Sequence, residues 1–271
     1  MFLEFKVGDY VTRISHNNDI LFKIVSIDMN LAILKGVDLR LYADSIINDL
    51  VKVDGISGDK DQEILEENIR DIKMDRSQYF YLPGKILHID GDSDYLKRCM
   101  EFYKKMNVKA NGLTMKEDEV AKEVMSLLNE YKPDILVVTG HDAYYKGKKN
   151  KHENLKYQNS NNFINSVKAA RNYEKSQDKL IIIAGACQSN YEELIKAGAN
   201  FASSPKRINI HALDPAIIAV SLAFSDKSES IDLIKLIDKT KYGSDGMGGI
   251  ITNGTMYVGY PRWRWIKLRR R

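Results

Sequence analysis

From about residue 80 onward the chain alternates unbroken apolar runs with amphipathic segments, and few folds accept that alternation. "KILHID" (85–90) precedes a helix predicted around 93–106, and "VKANGLT" (108–114) precedes one around 117–131. "DILVVTG" (134–140) precedes a polar stretch and a helix around 161–175. "KLIIIAGA" (179–186) precedes a helix around 190–197, and "ANFASS" (199–204) follows. A strand that is apolar at successive positions must be covered on both faces. Alternating βα units supply that cover by laying a parallel sheet between two helix layers. The expectation over residues 77–261 is therefore an α/β domain with an open, mostly parallel sheet and helices on both faces. "GGIITNGTMYVGYP" (248–261) reads as a hairpin at its edge.

Residues 1–53 follow another pattern. "DYVTRIS", "ILFKIVSI", "LAILKGV" and "LRLYA" are short runs separated by turn signals such as Gly8-Asp9 and Asn17-Asn18-Asp19, which suggests a small SH3-like β-barrel. Residues 54–76 are highly charged and read as a linker with a marginal helix. The last ten residues, "RWRWIKLRRR" (262–271), hold six basic residues and no acid, so the net charge of +4 becomes −2 for the rest of the chain. A nucleic-acid-binding body would carry its own basic stripe, so nucleic acid is not an expected partner. No apolar run approaches the roughly 18 residues of a membrane span, the N-terminus does not read as a signal peptide, and no membrane partner is expected. Two cysteines, Cys99 and Cys187, form no disulfide framework, which fits a reducing, cytoplasmic setting. Oligomeric state is open at this level.

Ligands of open α/β sheets bind beyond the carboxyl ends of the strands. The third strand there runs into "TGHDA", with His141, and the fourth into "AGACQS", with Cys187. If the two are sheet neighbours, about 5 Å apart, imidazole and thiol extend from adjacent strand ends, as a nucleophile and its base require. Ser189-Asn190-Tyr191-Glu192 has the form of a capping box, so a helix N-terminus should face the sulfur and favour thiolate. Gly185 permits close backbone approach, and Gly140, Asp142 and Ser189 are candidates for supporting the site or its oxyanion hole. The plain alternatives are that Cys187 and Cys99 are core residues and that His141 caps a loop. No second Cys or His stands at zinc-ligand spacing near either residue, and no cofactor is required.

An apolar strand ending in His, followed by one ending in Ala-Cys, resembles the caspase-like (clan CD) cysteine peptidases. Those enzymes usually carry Gly directly after the His; here Asp142 follows and Gly140 precedes. Over nearly the whole chain, "KVGDYVTRIS", "DILFKI", "PGKILHIDGDSDYLKRC", "KPDILVVTGHDAY", "GMGGI" and the block from Ala184 to Pro215 are similar to the YabG family of sporulation proteases. That resemblance implies a cysteine endopeptidase of the mother cell, associated with the developing spore coat. Its expected partners are protein substrates: spore-coat proteins and cortex-lytic or germination proteins, cut after arginine. It also implies that Cys187 and His141 are catalytic.

An arginine-selective S1 pocket needs a carboxylate. In the expected strand order 2-1-3-4 the first strand borders the third, so Asp90 and Asp92 of "HIDGDSD" lie near His141. Asp92 or Ser93 would also cap the next helix. Asp214 of "HALDP" is the other S1 candidate, although Asp before Pro often marks a turn. Ser204 could line the cleft. Asp142 could orient His141, and the polar loop 144–160, with His152, could form a flap. His211 reads as structural. Two other functions fit parts of the pattern. One is a non-catalytic coat-assembly or nucleic-acid-binding protein using the barrel and basic tail. The other is phosphotransfer on Asp90, which lacks a lysine at the right strand end.

Overall fold

A computed structural model describes residues 5–53, 60–70, 78–145 and 157–262. The first strands are β1 (Tyr10–Arg13), β2 (Phe22–Asp28), β3 (Leu31–Gly36), β4 (Tyr42–Ile46) and β5 (Leu50–Lys52). They form an antiparallel sheet of order β4-β3-β2-β1-β5, with a bulge in β2 between Ile24 and Ser26. Alternate residues face inward, and Val11, Phe22, Ile24, Ala32, Leu34 and Leu50 make its small core. β4 and β5 are its edges; this pairing defines a five-stranded sheet without a closing ladder among the described residues. Part of the charged segment forms α1 (Lys60–Arg70); residues 54–59 and 71–77 lie outside the described residues.

The second sheet takes its strands from the apolar runs. After β6 (Phe80–Leu82) come β7 (Ile86–Asp90), α2 (Ser93–Lys105), β8 (Ala110–Thr114), α3 (Glu117–Tyr131) and β9 (Ile135–Thr139). α4 (Ser160–Tyr173), β10 (Ile181–Ala184), α5 (Tyr191–Lys196) and β11 (Phe201–Ser203) follow. The chain ends through α6 (Asp214–Ala223), α7 (Leu233–Ile237), β12 (Met247–Gly249) and β13 (Tyr257–Gly259). The strand order is β12-β11-β10-β9-β7-β8, parallel except for β12. The first four α/β strands thus take the expected order 2-1-3-4.

Successive residues of a strand point to opposite faces, and the core divides accordingly. Ile86, Val137, Ile181 and Ile183 pack with Phe102 and Tyr103 of α2 and Ile217 and Val220 of α6. Leu87, Leu136, Val138 and Ile182 pack with Val124 and Leu128 of α3 and Phe163 and Val167 of α4. Burial on both faces is why these runs read as continuously apolar.

Two expectations fail at the end of the chain. The 248–261 segment is not a hairpin: β12 pairs with β11, whereas β13 pairs with β6 in a separate two-stranded sheet. "DP" at 214–215 does not turn the chain but starts α6, with Pro in the first turn, where its missing N–H costs nothing. Residues 263–271 of the basic tail and 146–156 of the polar loop, with His152, lie outside the described residues.

Ile183 is fully buried in the centre of β10. Ile183→Ala should lower stability by about 2–5 kcal/mol. Urea unfolding checks this as a reduced midpoint at unchanged slope.

Candidate active site

β9 and β10 are paired neighbours, with Ile135 opposite Ile181 and Val138 opposite Ala184. Their parallel course puts the loops bearing His141 and Cys187 at the same end of the sheet. Asp142 joins those loops. Its carboxylate accepts from the backbone N–H groups of Ala143 and Asn159, from the Ser160 hydroxyl, and from the Ser189 hydroxyl at 3.0 Å. Ser189 Oγ in turn accepts from the Ala186 N–H at 2.9 Å. Burial raises the Asp142 carboxyl above its ordinary value, despite those donors.

His141 is held from several sides. Its N–H donates to Glu117 Oε1 at 2.9 Å, and Asn159 Nδ2 donates to its carbonyl at 2.8 Å. Gly140 packs against the same glutamate: a Cβ there would stand 2.4 Å from Glu117 Oε1. The imidazole Nε2 lies 2.9 Å from Asp92 Oδ2, and the Tyr42 ring meets it edge-on at 5.0 Å. Asp92, rather than Asp142, is therefore the carboxylate on this histidine. Burial alone would raise Asp92. The bonds from His141 and from Lys35 Nζ (2.7 Å) outweigh it and hold the carboxyl well below the usual range. An ionised carboxylate only accepts, so Nε2 carries the hydrogen and Nδ1 is the basic atom of the neutral ring. Asp92 also caps α2, accepting from the N–H groups of Asp94 and Tyr95.

Cys187 is 1% exposed. The Ile210 N–H points at its sulfur from 3.3 Å, and the Arg40 backbone acts on the same atom. Burial pushes the thiol up to about 12, against the pull of the Ile210 N–H and the Arg40 charge. Among the described residues, no hydrogen bond joins Cys187 to His141. Gly185 has φ +104, a conformation that suits glycine. The capping box is not formed. Asn190 caps α5 instead, because Ser189 is already committed to Asp142 and Ala186. The Gln188 N–H is also taken, by Ser204 Oγ at 2.9 Å and the Ile208 carbonyl at 3.1 Å, so in this arrangement it is no oxyanion donor.

Asp90 is fully buried and already holds a guanidinium, that of Arg40. Arg40 Nη1 donates to Asp90 Oδ2 at 2.7 Å, and its Nε and Nη2 donate to the Ala212 carbonyl at 3.2 and 3.0 Å. Thr139 donates to the same carboxylate oxygen at 2.9 Å and is itself 3.0 Å from His88 Nε2. Burial opposes the Asp90 charge, but Arg40 outweighs it, and the carboxyl lies well below the ordinary range. Asp214 differs. It accepts from the N–H groups of His211 and Lys241 and has no cation bonded to it among the described residues, and burial pushes it up to about 6. Cys99 lies in the core, 3.6 Å from Arg40 Nη2, and His211 is buried with its Nδ1 accepting from the Leu213 N–H.

Lys35, Arg40 and Tyr42, all from the N-terminal sheet or its β3–β4 connection, went unread as site residues. So did Glu117. The "GVDLRLY" segment offered one signal, an arginine inside an apolar run of an otherwise alternating sheet. One cleft borders this region and another lies away from it, by β6, β13 and the end of α6. The first, of about 570 Å³, is bordered by Asp38, Leu39, Ile208, Asn209 and Tyr242. A roomier one of about 650 Å³, lined by Tyr79, Tyr81, Phe224 and Val258 among others, includes none of the candidate residues. Of the two, the first is the more relevant to the chemistry because Ile208 bonds Gln188, next to the thiol.

The chain matches the family described as YabG peptidase U57 over residues 6–73 and 56–261. It is 40% identical over 291 residues to the Sporulation-specific protease YabG of Bacillus subtilis (strain 168), covering 96% of this chain and 99% of that relative. The chain belongs to the YabG peptidase family. No described helix is long and apolar enough to cross a membrane.

Two carboxylates here should respond to acid in opposite ways. Asp92 sits below its ordinary value, so its stabilisation is in place above about pH 4 and is lost as pH falls further. Asp214, pushed up to about 6, binds its proton more tightly when folded. Its contribution therefore falls as pH rises from about 4 to about 6. Thermal melts should show Asp214→Asn flattening that fall, while Asp92→Asn flattens only the loss at lower pH.

Proposed function

We propose that the protein is a cysteine endopeptidase of sporulation. Cys187 is its nucleophile and His141 its general base and acid. The observation that carries this is the pairing of β9 with β10, whose shared end bears both residues, in a chain of the YabG family. The 2-1-3-4 order also supports a caspase-like arrangement of the α/β layer. His141 Nδ1 takes the thiol proton, the thiolate attacks the scissile carbonyl, and the imidazolium returns the proton to the departing amine. The covered, high-pKa thiol must first be uncovered or met by substrate, because the thiolate is the reactive form.

Asp90 supports an arginine preference. A carboxylate buried at the end of β7 and already satisfied by a guanidinium is the partner a P1 arginine needs. Asp214, which has no cation bonded to it among the described residues, is the second choice. The substrates proposed are spore-coat and germination-related proteins, met in the mother cell at the developing coat. The N-terminal sheet is integral to the site through Lys35, which weakens the reading of the α/β domain as an inert scaffold.

The test uses an arginine-containing coat-protein fragment. Cys187→Ala should abolish its cleavage and His141→Ala remove most of it, with circular dichroism unchanged; full activity in either variant sinks the mechanism. Asp90→Asn should reduce kcat/KM on P1-arginine peptides by roughly ten- to a hundredfold more than on neutral ones. An equal loss on both would move the S1 role to Asp214.

A further inference from the structure

Lys35 of β3 and Tyr42 of β4 stand opposite one another in the N-terminal sheet, so their side chains leave the same face. Both reach out of that sheet, one to Asp92 and the other to His141. The Lys35 ammonium lies 2.7 Å from Asp92 Oδ1 and 2.8 Å from Asp94 Oδ2, and 4.6 Å from the centre of the Tyr95 ring. The Tyr42 ring meets the His141 imidazole edge-on at 5.0 Å, and the Tyr95 ring lies 5.9 Å from it. The imidazole therefore has beside it one tyrosine of the N-terminal sheet and one of α2, with Nε2 on Asp92.

Asp92 uses its two oxygens differently. Oδ1 receives three donors: Lys35 Nζ and the N–H groups of Asp94 and Tyr95, the last two at 2.9 and 3.2 Å. Oδ2 faces His141 Nε2 at 2.9 Å. The Asp92 N–H donates to Asp90 Oδ1 at 3.0 Å, so the main chain is held as well. Capping α2 uses Oδ1 alone. The contact of Oδ2 with the imidazole adds nothing to the cap, and a cap needs no lysine from another sheet. Three donors on one oxygen do fix how the carboxylate is turned, and so fix the other oxygen against the ring.

We propose that Asp92 is a positioning residue of the peptidase and that Lys35 of the N-terminal sheet positions Asp92 in turn, the two together holding His141 in the tautomer whose Nδ1 can take a proton. The inference rests on the Cys187–His141 reading above. When the Cys187 proton passes to Nδ1, the ring gains a positive charge. The hydrogen on Nε2 stays there, and the Asp92 charge stabilises the imidazolium without taking its proton, as in the Ser-His-Asp arrangement. Nδ1 then gives its proton to the departing amine. The N-terminal sheet thereby prepares the base.

The unequal oxygens make one substitution diagnostic. Asn caps a helix as well as Asp does. The three donors at the Oδ1 position accept only an oxygen there. The amide of Asp92→Asn must therefore turn its oxygen to Lys35 and α2, and its NH2 to His141. That NH2 donates to Nε2, moves the ring hydrogen to Nδ1 and removes the base while the cap stays.

The full chain, labelled with 15N-histidine, is examined by NMR for the nitrogen that carries the hydrogen in neutral His141, with His141→Gln to assign the signal. Cleavage of an arginine-containing peptide is measured beside it. The expected hydrogen is on Nε2 in the unsubstituted chain and on Nδ1 in Asp92→Asn. Asp92→Asn should also lower kcat by roughly a hundred- to ten-thousandfold with KM little changed. Lys35→Met should lower kcat in the unsubstituted chain and add much less on top of Asp92→Asn, because its effect passes through the carboxylate. Should Asp92→Asn not fold, Asp92→Ser keeps a capping oxygen with none left for the ring, and should still lower kcat by about tenfold or more. A folded Asp92→Asn chain with undiminished kcat, or an unsubstituted chain with the hydrogen on Nδ1, overturns the inference and leaves the peptidase reading intact. Equal losses from Lys35→Met in both backgrounds overturn the part given to Lys35. An unsubstituted chain that cuts no arginine peptide overturns the peptidase reading and the inference with it.

Discussion

The Arg40–Asp90 pair is the contact that the arrangement of the site depends on. Both side chains are without exposure, and isolating either charge in the interior would cost several kcal/mol. The pair is tolerable because its remaining capacity is filled. Ala212 accepts from the guanidinium, and Thr139 and the Asp92 N–H donate to the carboxylate. Removing one partner strands the other, at about 3–5 kcal/mol. Such a pair adds little stability compared with apolar packing, but it fixes which groups meet. Here it fixes the β3–β4 connection over the carboxyl ends of β7 and β10.

That connection makes the N-terminal sheet part of the candidate site. Lys35 donates to Asp92 and Asp94 at 2.7 and 2.8 Å. Burial works against the lysine charge, and the two carboxylates outweigh it, so its pKa is raised. Asp92 receives that lysine on one oxygen and His141 on the other. The same carboxylate caps α2, so the helix, the lysine and the imidazole are fixed by one side chain. His141 thereby acquires a defined tautomer without Asp142, which is spent on joining the β9 and β10 loops.

The α/β layer was legible because it rests on local, repeated physics. Two-face burial writes continuous apolar runs, and helix periodicity writes the segments between them; α3 spans the predicted residues, Glu117–Tyr131. Asp92 as a helix cap was legible for the same reason. The capping box at Ser189 misled, because a serine hydroxyl bonds whichever neighbours the fold brings, here Ala186 and Asp142. α6 was missed because Asp-Pro fits a turn and a helix N-terminus equally well. Lys35 and Arg40 were hard to read as site residues, since they are separated by 50 to 59 positions from Asp90, Asp92 and Asp94 where the ion pairs form, and Tyr42 stands 99 positions from His141. Sequence spacing carries no record of a contact made only when two sheets dock.

A covered thiol and a charged pocket filled from within put opposing demands on one segment. With Ile210 and the Arg40 backbone beside Cys187, burial holds the thiol near 12, and it keeps its proton at neutral pH. The same burial excludes water and strengthens the hold of Asp90 on a guanidinium. Asp92 holds His141 independently of that cover, because Lys35 reaches it from β3, upstream of Arg40. The imidazole is therefore held by contacts separate from those that cover the thiol.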